Sequence, residues 1–286
     1  MAVIRNPVEW GLDTLKSAAR HSAGMAQAFA DGETQSLPTI NRIGIADIGD
    51  ALHKGIDDFR ACRTDVLVLM AIYPLAGFVL WWTVANYHML PLLFPIASGF
   101  ALVGPVAAVG LYEMSRQRES GKTVNWASAF DVVRSPAFGS IIVLGLGLIA
   151  IFLVWLGAAQ VIYTAFLGPQ PPDSFAAFFT QVLTTPAGWA MALMGIAAGF
   201  LFAVLVLTIS AVSFPMLLDR HVGVSAAVVT SVRSVLANPV PMALWGLIVA
   251  GGLVAASIPL FLGLIVVVPV LGHATWHLYR KLVARE

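Results

Sequence analysis

The sequence is poor in charge and nearly free of cysteine. Asp, Glu, Lys and Arg make up 11% of its 286 residues and Cys62 is the single cysteine. An intrachain disulfide and any cysteine-rich zinc or iron–sulfur site are therefore excluded. No glycine-rich phosphate loop with its lysine, nucleophile elbow or zinc-finger spacing occurs. That argues against soluble-enzyme chemistry, and neither a catalytic residue, a cofactor nor a nucleic-acid partner is expected. The first 30 residues lack the continuous apolar core and small-residue cleavage site of a secretory signal, so the amino terminus is expected to be retained. Residues 66–112 hold no Asp, Glu, Lys or Arg, whereas nine of the 15 acidic residues lie before residue 66. Polar and apolar parts are separate stretches, and hydrophobic residues reach 59%, far above ordinary globular usage. This is the composition of a membrane chain, with the lipid bilayer as its first partner.

About 20 apolar residues cross the roughly 30 Å hydrocarbon layer as a helix. On that measure spans are expected at about 66–85, 90–112, 138–165 and 188–213. Residues 240–279 are apolar for too long to form one crossing, and Ser257-Ile258-Pro259 supplies a break because proline removes a donor and restrains the residue before it. Two further spans follow, at about 241–257 and 259–277. The positive charges give an independent check, since Lys and Arg bias loops toward the cytoplasm. Seven precede the first span, four lie between spans two and three, two between spans four and five, and three in the tail. The other three loops hold none. All sixteen fall on one side, which predicts an all-α, six-span bundle with both termini in the cytoplasm.

Residues 1–40 read as a cytoplasmic helix capped at Asn6-Pro7 followed by a linker, and residues 41–286 as the membrane domain. Ile45, Ile48, Leu52, Ile56 and Phe59 share one helical face ahead of span one. Trp126, Phe130 and Val133 do so ahead of span three, and Val224, Val228, Val232 and Val235 ahead of span five. The chain thus reads as three tandem units of one amphipathic cytoplasmic helix plus two spans, each apolar stripe lying along the membrane interface or against the bundle. On the outer face, residues 171–186 predict a short interfacial helix capped by Asp173 or Ser174, turning Phe175, Phe178, Phe179 and Val182 to the membrane. Gly195 with Gly199, Gly104 with Ala108 and Gly246 with Ala250 are spaced for close helix contact. Pro105 interrupts the hydrogen bonding of span two.

Ionisable residues are costly inside a membrane, so those near span ends are the candidates for a site. Glu113 ends span two, Asp219 and Arg220 end span four, and His273 and His277 end span six. Two readings stand. Each marks the headgroup level independently, which is favoured, or the five converge into one polar cluster at the cytoplasmic boundary. The histidines lie four apart on one helical face, as in helical zinc sites. The glutamate of the zinc-protease motif is absent and a third ligand would have to come from Glu113, Asp219 or His221. No metal site is expected, and a span end with snorkelling interfacial side chains is the preferred reading.

The stretches GFALVGPVAAVGLYEMSRQRESG (99–121), FPMLLDRHVGVSAAVVTSV (214–232) and GLIVVVPVLGHATWHLYRKLV (263–283) resemble a family of predicted bacterial integral membrane proteins, domain of unknown function 2189. The resemblance spans about residues 40–283 and implies a bacterial inner-membrane location without an established activity. Some members carry a cytochrome oxidase subunit I label, which fails here because no histidine falls near a span centre. The favoured function is a non-catalytic accessory, scaffold or assembly partner of a membrane complex, and besides lipid the expected partners are such a complex or a second copy of the chain. A small-molecule or ion transporter using the Pro105 kink and the span-end cluster is the alternative. Metal or haem handling at His273 and His277 comes last.

Overall fold

The computed structural model describes residues 37–70, 77–78, 81–82, 89–220, 222–259 and 261–285. The expected amino-terminal helix, most of the first expected span and His88 lie outside them. Among the described residues the fold is all helical: α1 (Ile45–Met70), α2 (Leu93–Ala107), α3 (Val109–Glu119), a 3₁₀ segment Trp126–Arg134, α4 (Phe138–Leu167), α5 (Phe175–Thr184), α6 (Pro186–Ser210), α7 (Ser213–Asp219), α8 (Val224–Ala237), α9 (Pro239–Ser257) and α10 (Leu264–Leu282).

Among the described residues four stretches are long and apolar enough to cross a membrane: Leu90–Glu119, Phe138–Leu167, Pro186–Asp219 and Pro239–Ser257. They correspond to expected spans two, three, four and five. The expected sixth span is shifted. Its helix, α10, begins at Leu264 rather than 259, because residues 258, 259 and 261–263 are in turns, with Phe261 at φ 65°. The break at Pro259 is therefore longer than one proline requires. The second half of α10 is also polar, carrying His273, His277, Arg280 and Lys281, which keeps the helix out of the four.

Pro105 acts as its chemistry dictates. α2 ends at Ala107, the Ala108 amide bonds back to the Gly104 carbonyl at 2.9 Å, and the chain resumes as α3. α4 stops at Gly168, whose φ of 87° suits a residue without Cβ. α5 is capped by Ser174, which accepts from the Ala177 amide at 3.1 Å; Phe175, Phe179 and Leu183 are exposed, while Phe178 leans on Tyr163.

The core concentrates at the end of the bundle where α3, α7 and α10 finish. α10 lies between α1 and α3, and small residues set both approaches. A Cβ on Gly55 of α1 would sit 2.7 Å from the Ala274 amide nitrogen, and one on Gly272 would sit 2.6 Å from Leu111 of α3. The other spaced small residues divide. A Cβ on Gly199 would meet the Trp155 ring at 3.4 Å and one on Gly246 would meet Leu207 at 3.0 Å, but Gly104 and Gly195 face open space.

α1 buries Ile48, Ala51, Gly55, Asp58 and Cys62, a 3-4-3-4 spacing that forms a helix-packing seam. This seam shares only Ile48 with the stripe expected from apolar periodicity. A short clip completes the end: Ile40 and Val283 pair as an antiparallel bridge, the Asn41 amide bonds the Leu282 carbonyl at 2.8 Å, and Asn238 accepts from the Ile43 amide at 2.8 Å.

Candidate functional site

The buried polar side chains gather where α1, α3 and α10 meet. The Asp58 carboxylate is the hub. One of its oxygens accepts from Ser115 Oγ at 2.7 Å and from His277 Nε2 at 2.8 Å, and the other accepts from Arg118 Nη1 at 3.0 Å. Arg118 also bonds the Asp57 carbonyl at 2.8 Å, which fixes its guanidinium over the hub. Ser115 Oγ lies 2.8 Å from His273 Nδ1. A hydroxyl has one proton. Because Ser115 gives it to Asp58, the proton between Ser115 and His273 belongs to Nδ1. His273 Nε2 is fully buried with no partner among the described residues.

Burial alone would raise the Asp58 carboxyl, but the hydrogen bonds from His277 and Ser115 outweigh it and hold the group below its ordinary value. Serine, histidine and aspartate together invite comparison with a hydrolytic triad, and the order of contacts answers it. In a triad the histidine stands between nucleophile and carboxylate. Here the serine stands between them, buried, its proton committed to the carboxylate. The arrangement locks three helices together.

A second group continues along the α3–α10 interface by one turn on each helix. Glu119 accepts from Trp276 Nε1 at 3.1 Å and from Arg280 Nε at 2.9 Å, and also pairs with Arg285. Arg280 reaches on to Asp219 of α7 at 2.8 Å, where Tyr279 donates at 2.6 Å, and its guanidinium lies 4.9 Å from the centre of the Trp276 ring. Arg220 donates to the Ala284 carbonyl. Glu113 belongs to neither group. It accepts two bonds of 2.7 Å from Arg116 in its own helix, and Gln117 links it to Asp131 of the 3₁₀ segment.

Of the five residues nominated from the sequence, the two histidines therefore share one group, Asp219 and Arg220 lie in another, and Glu113 stands apart. They do not form a single cluster. Asp58, Ser115, Arg118 and Glu119 were missed, although the small residues flanking Asp58 at 3-4 spacing carried the signal. No group of three or more His, Cys, Asp and Glu side chains is arranged to hold a metal ion among the described residues. The histidine nitrogens that reach the hub are engaged by Ser115 and Asp58.

Lys281 clasps the start of α1, 2.9 Å from Asp47 and 2.8 Å from Asp50. Asp47 is held below the ordinary value of 3.8 by the Gly44 amide and Lys281, and Asp50 by Lys281 and Lys54. With depressed carboxyls, the clasp contributes fully above about pH 3.8 and is lost as the pH falls through the lower folded values. Protease cleavage near Lys54 should therefore stay constant from neutrality to that pH and rise below it. Lys281→Ala should show the raised cleavage already at neutral pH.

Long apolar helices, two of them ending at Glu119 and Asp219 in paired polar networks, mark an integral membrane protein, and a family model agrees. Residues 93–219 match the family model described as predicted integral membrane protein, domain of unknown function 2189. The matched stretch runs from α2 to the end of α7 and holds Ser115, Arg118, Glu119 and Asp219. Asp58 and both histidines of the hub lie outside it, so the match is shorter than the resemblance seen in the sequence. No curated protein and no solved structure matches the chain.

Proposed function

We propose that the chain is a six-span protein of the bacterial inner membrane with both termini in the cytoplasm. Its role is that of a non-catalytic accessory, scaffold or assembly partner for another membrane complex. The observation that carries this reading is how the polar side chains are used. Asp58, Glu119 and Asp219 each cross-link separate helices, Glu113 is tied to the neighbouring 3₁₀ segment through Gln117, and the outward faces of α4 and α6 stay apolar and uncovered. A protein whose charges rigidify one end and whose spans present plain apolar faces is suited to holding neighbours in place.

The one-sided distribution of Lys and Arg supports the topology. Arg118, Arg280 and Lys281 pair with acids on elements that the charge pattern places at the same membrane face. The three-unit organisation is part of the same reading, with α1, the 3₁₀ segment and α8 as the lead elements. The second is a nine-residue 3₁₀ segment rather than an α-helix.

Purification in mild detergent, with partner identification, metal analysis and a visible spectrum, tests the proposal. A stoichiometric protein partner without metal or chromophore is expected, together with a cytoplasmic signal from a reporter fused at the carboxyl terminus. An isolated oligomer free of partners would return the transporter reading built on the Pro105 break.

A further inference from the structure

α8 is amphipathic in the reverse sense. Its buried face carries Thr230, Ser231, Ser234 and, at the cap, Asn238, each at most 3% exposed. Ser231 bonds the Thr208 carbonyl at 2.7 Å and Asn238 bonds the Asn41 carbonyl at 3.0 Å. Its outer face carries Val229 and Leu236, 43% and 72% exposed, with Arg233 exposed between them at helical spacing. Of the valines that periodicity placed along a stripe, Val224 is in the core and Val228 and Val235 pack against it, so that stripe faces the bundle. A helix in water would bury Leu236 and leave the serines outside.

The exposed face has a continuation. Val240, Leu247 and Val254 of α9 are 65%, 69% and 66% exposed and lie seven residues apart. They form one stripe along a helix that is long and apolar enough to cross the membrane. Val240 follows α8 by three residues, so the outer face of α8 abuts the start of a lipid-facing stripe. Arg233 makes no ion pair among the described residues. Arginine at that depth matches a phosphate bidentately, with its aliphatic stem on the apolar side.

We propose that the Val229–Arg233–Leu236 face of α8 is an acidic-phospholipid docking surface in the headgroup layer, with Val229 and Leu236 below the phosphates and Arg233 on a lipid phosphate. The 3₁₀ segment has a similar exposed apolar face, although its Arg134 is paired with Asp131 at 3.4 Å. Trp126, Phe130 and Val133 are each more than half exposed and Arg134 follows them.

The test uses the full chain in vesicles of phosphatidylcholine and phosphatidylglycerol. Leu236→Cys is labelled with a small fluorophore, the unaltered chain with its buried Cys62 gives the background, and Lys54→Cys serves as the aqueous control. The label at 236 should be quenched by a nitroxide carried just beneath the lipid headgroup, and quenched several-fold less by iodide than the label at 54. Equal iodide access at the two positions would overturn the proposal. So would protection from both quenchers, because a protein surface would then cover the face. With the nitroxide carried on phosphatidylglycerol, quenching at 236 should exceed that from phosphatidylcholine, and Arg233→Gln should abolish the difference. An unchanged preference in that variant would remove the phosphate contact.

Discussion

Replacing Gly55 by leucine should prise α1 off the bundle. The space for a side chain there is absent: the first carbon alone would lie 2.7 Å from both the Ala274 amide nitrogen and Cβ, and 2.8 Å from its Cα. Two of those atoms are backbone, which cannot rotate away. Inserting bulk into a packed seam costs about 1–3 kcal/mol, and leucine against backbone belongs at the upper end. The displacement also draws Asp58, one turn further along α1, away from Ser115 and His277. Thermal unfolding of the detergent-purified chain should fall by several degrees, with faster cleavage at Lys54 and Arg60. Gly55→Ala should show the same change at smaller size. A native melting temperature for Gly55→Leu would mean that α1 does not sit against Ala274.

Asp58→Ala should be the costliest polar substitution. It strips the acceptor from Ser115, His277 and Arg118 at once; 10% of the Asp58 side chain and 15% of the His277 side chain are exposed, against 38% for Arg118. Leaving a buried donor without its acceptor costs about 1–3 kcal/mol, while solvent compensates the partly exposed Arg118 guanidinium, so a loss of about that size is expected. His277→Ala, which removes a single donor, should cost less. A double-mutant cycle between the two should return a coupling of about 0.5–3 kcal/mol. The neighbouring Asp57 provides the control. It makes local pairs at 3.5 Å with His53 and 3.7 Å with Arg60 near the surface, so Asp57→Ala should stay within about 0.5 kcal/mol of the parent chain. Equal effects of the two alanine variants would show that the hub contributes nothing special.

What the sequence disclosed follows from which forces are local. Hydrocarbon length and the cost of charge in lipid act on contiguous residues, so four of the long apolar helices could be placed within a few positions. The Pro105 break and the Ser174 cap rest on neighbouring atoms and were equally legible. The partners of α1 and α8 depend on non-local packing, and periodicity left open whether their apolar stripes meet the membrane or the bundle: in α1, Leu52 and Phe59 pack on the core while Ile45 stays exposed, and in α8 Val224, Val228 and Val235 turn to the core. In α1 the eye follows the isoleucines, whereas the chain buries Ala51 and Gly55 because small residues let two backbones approach. In α8 the valine stripe packs against the bundle, but Thr230 and Ser231, which the stripe did not include, turn inward beside it and satisfy their hydroxyls there. The site was half visible for the same reason: the histidines announce themselves by type and position, but Asp58 passes for one more surface acid until the seam beside it is recognised.

The seat of α1 against α10 joins segments some two hundred positions apart in the order of synthesis. When α1 leaves the ribosome, the surface that will receive Asp58 does not yet exist, and the intervening crossings must be threaded first. α1 has to wait beside the bilayer with its small-residue seam open and its carboxylate hydrated. Closure therefore comes as a late event, after the last helix is delivered, and the polar locks at that end record the completion of assembly.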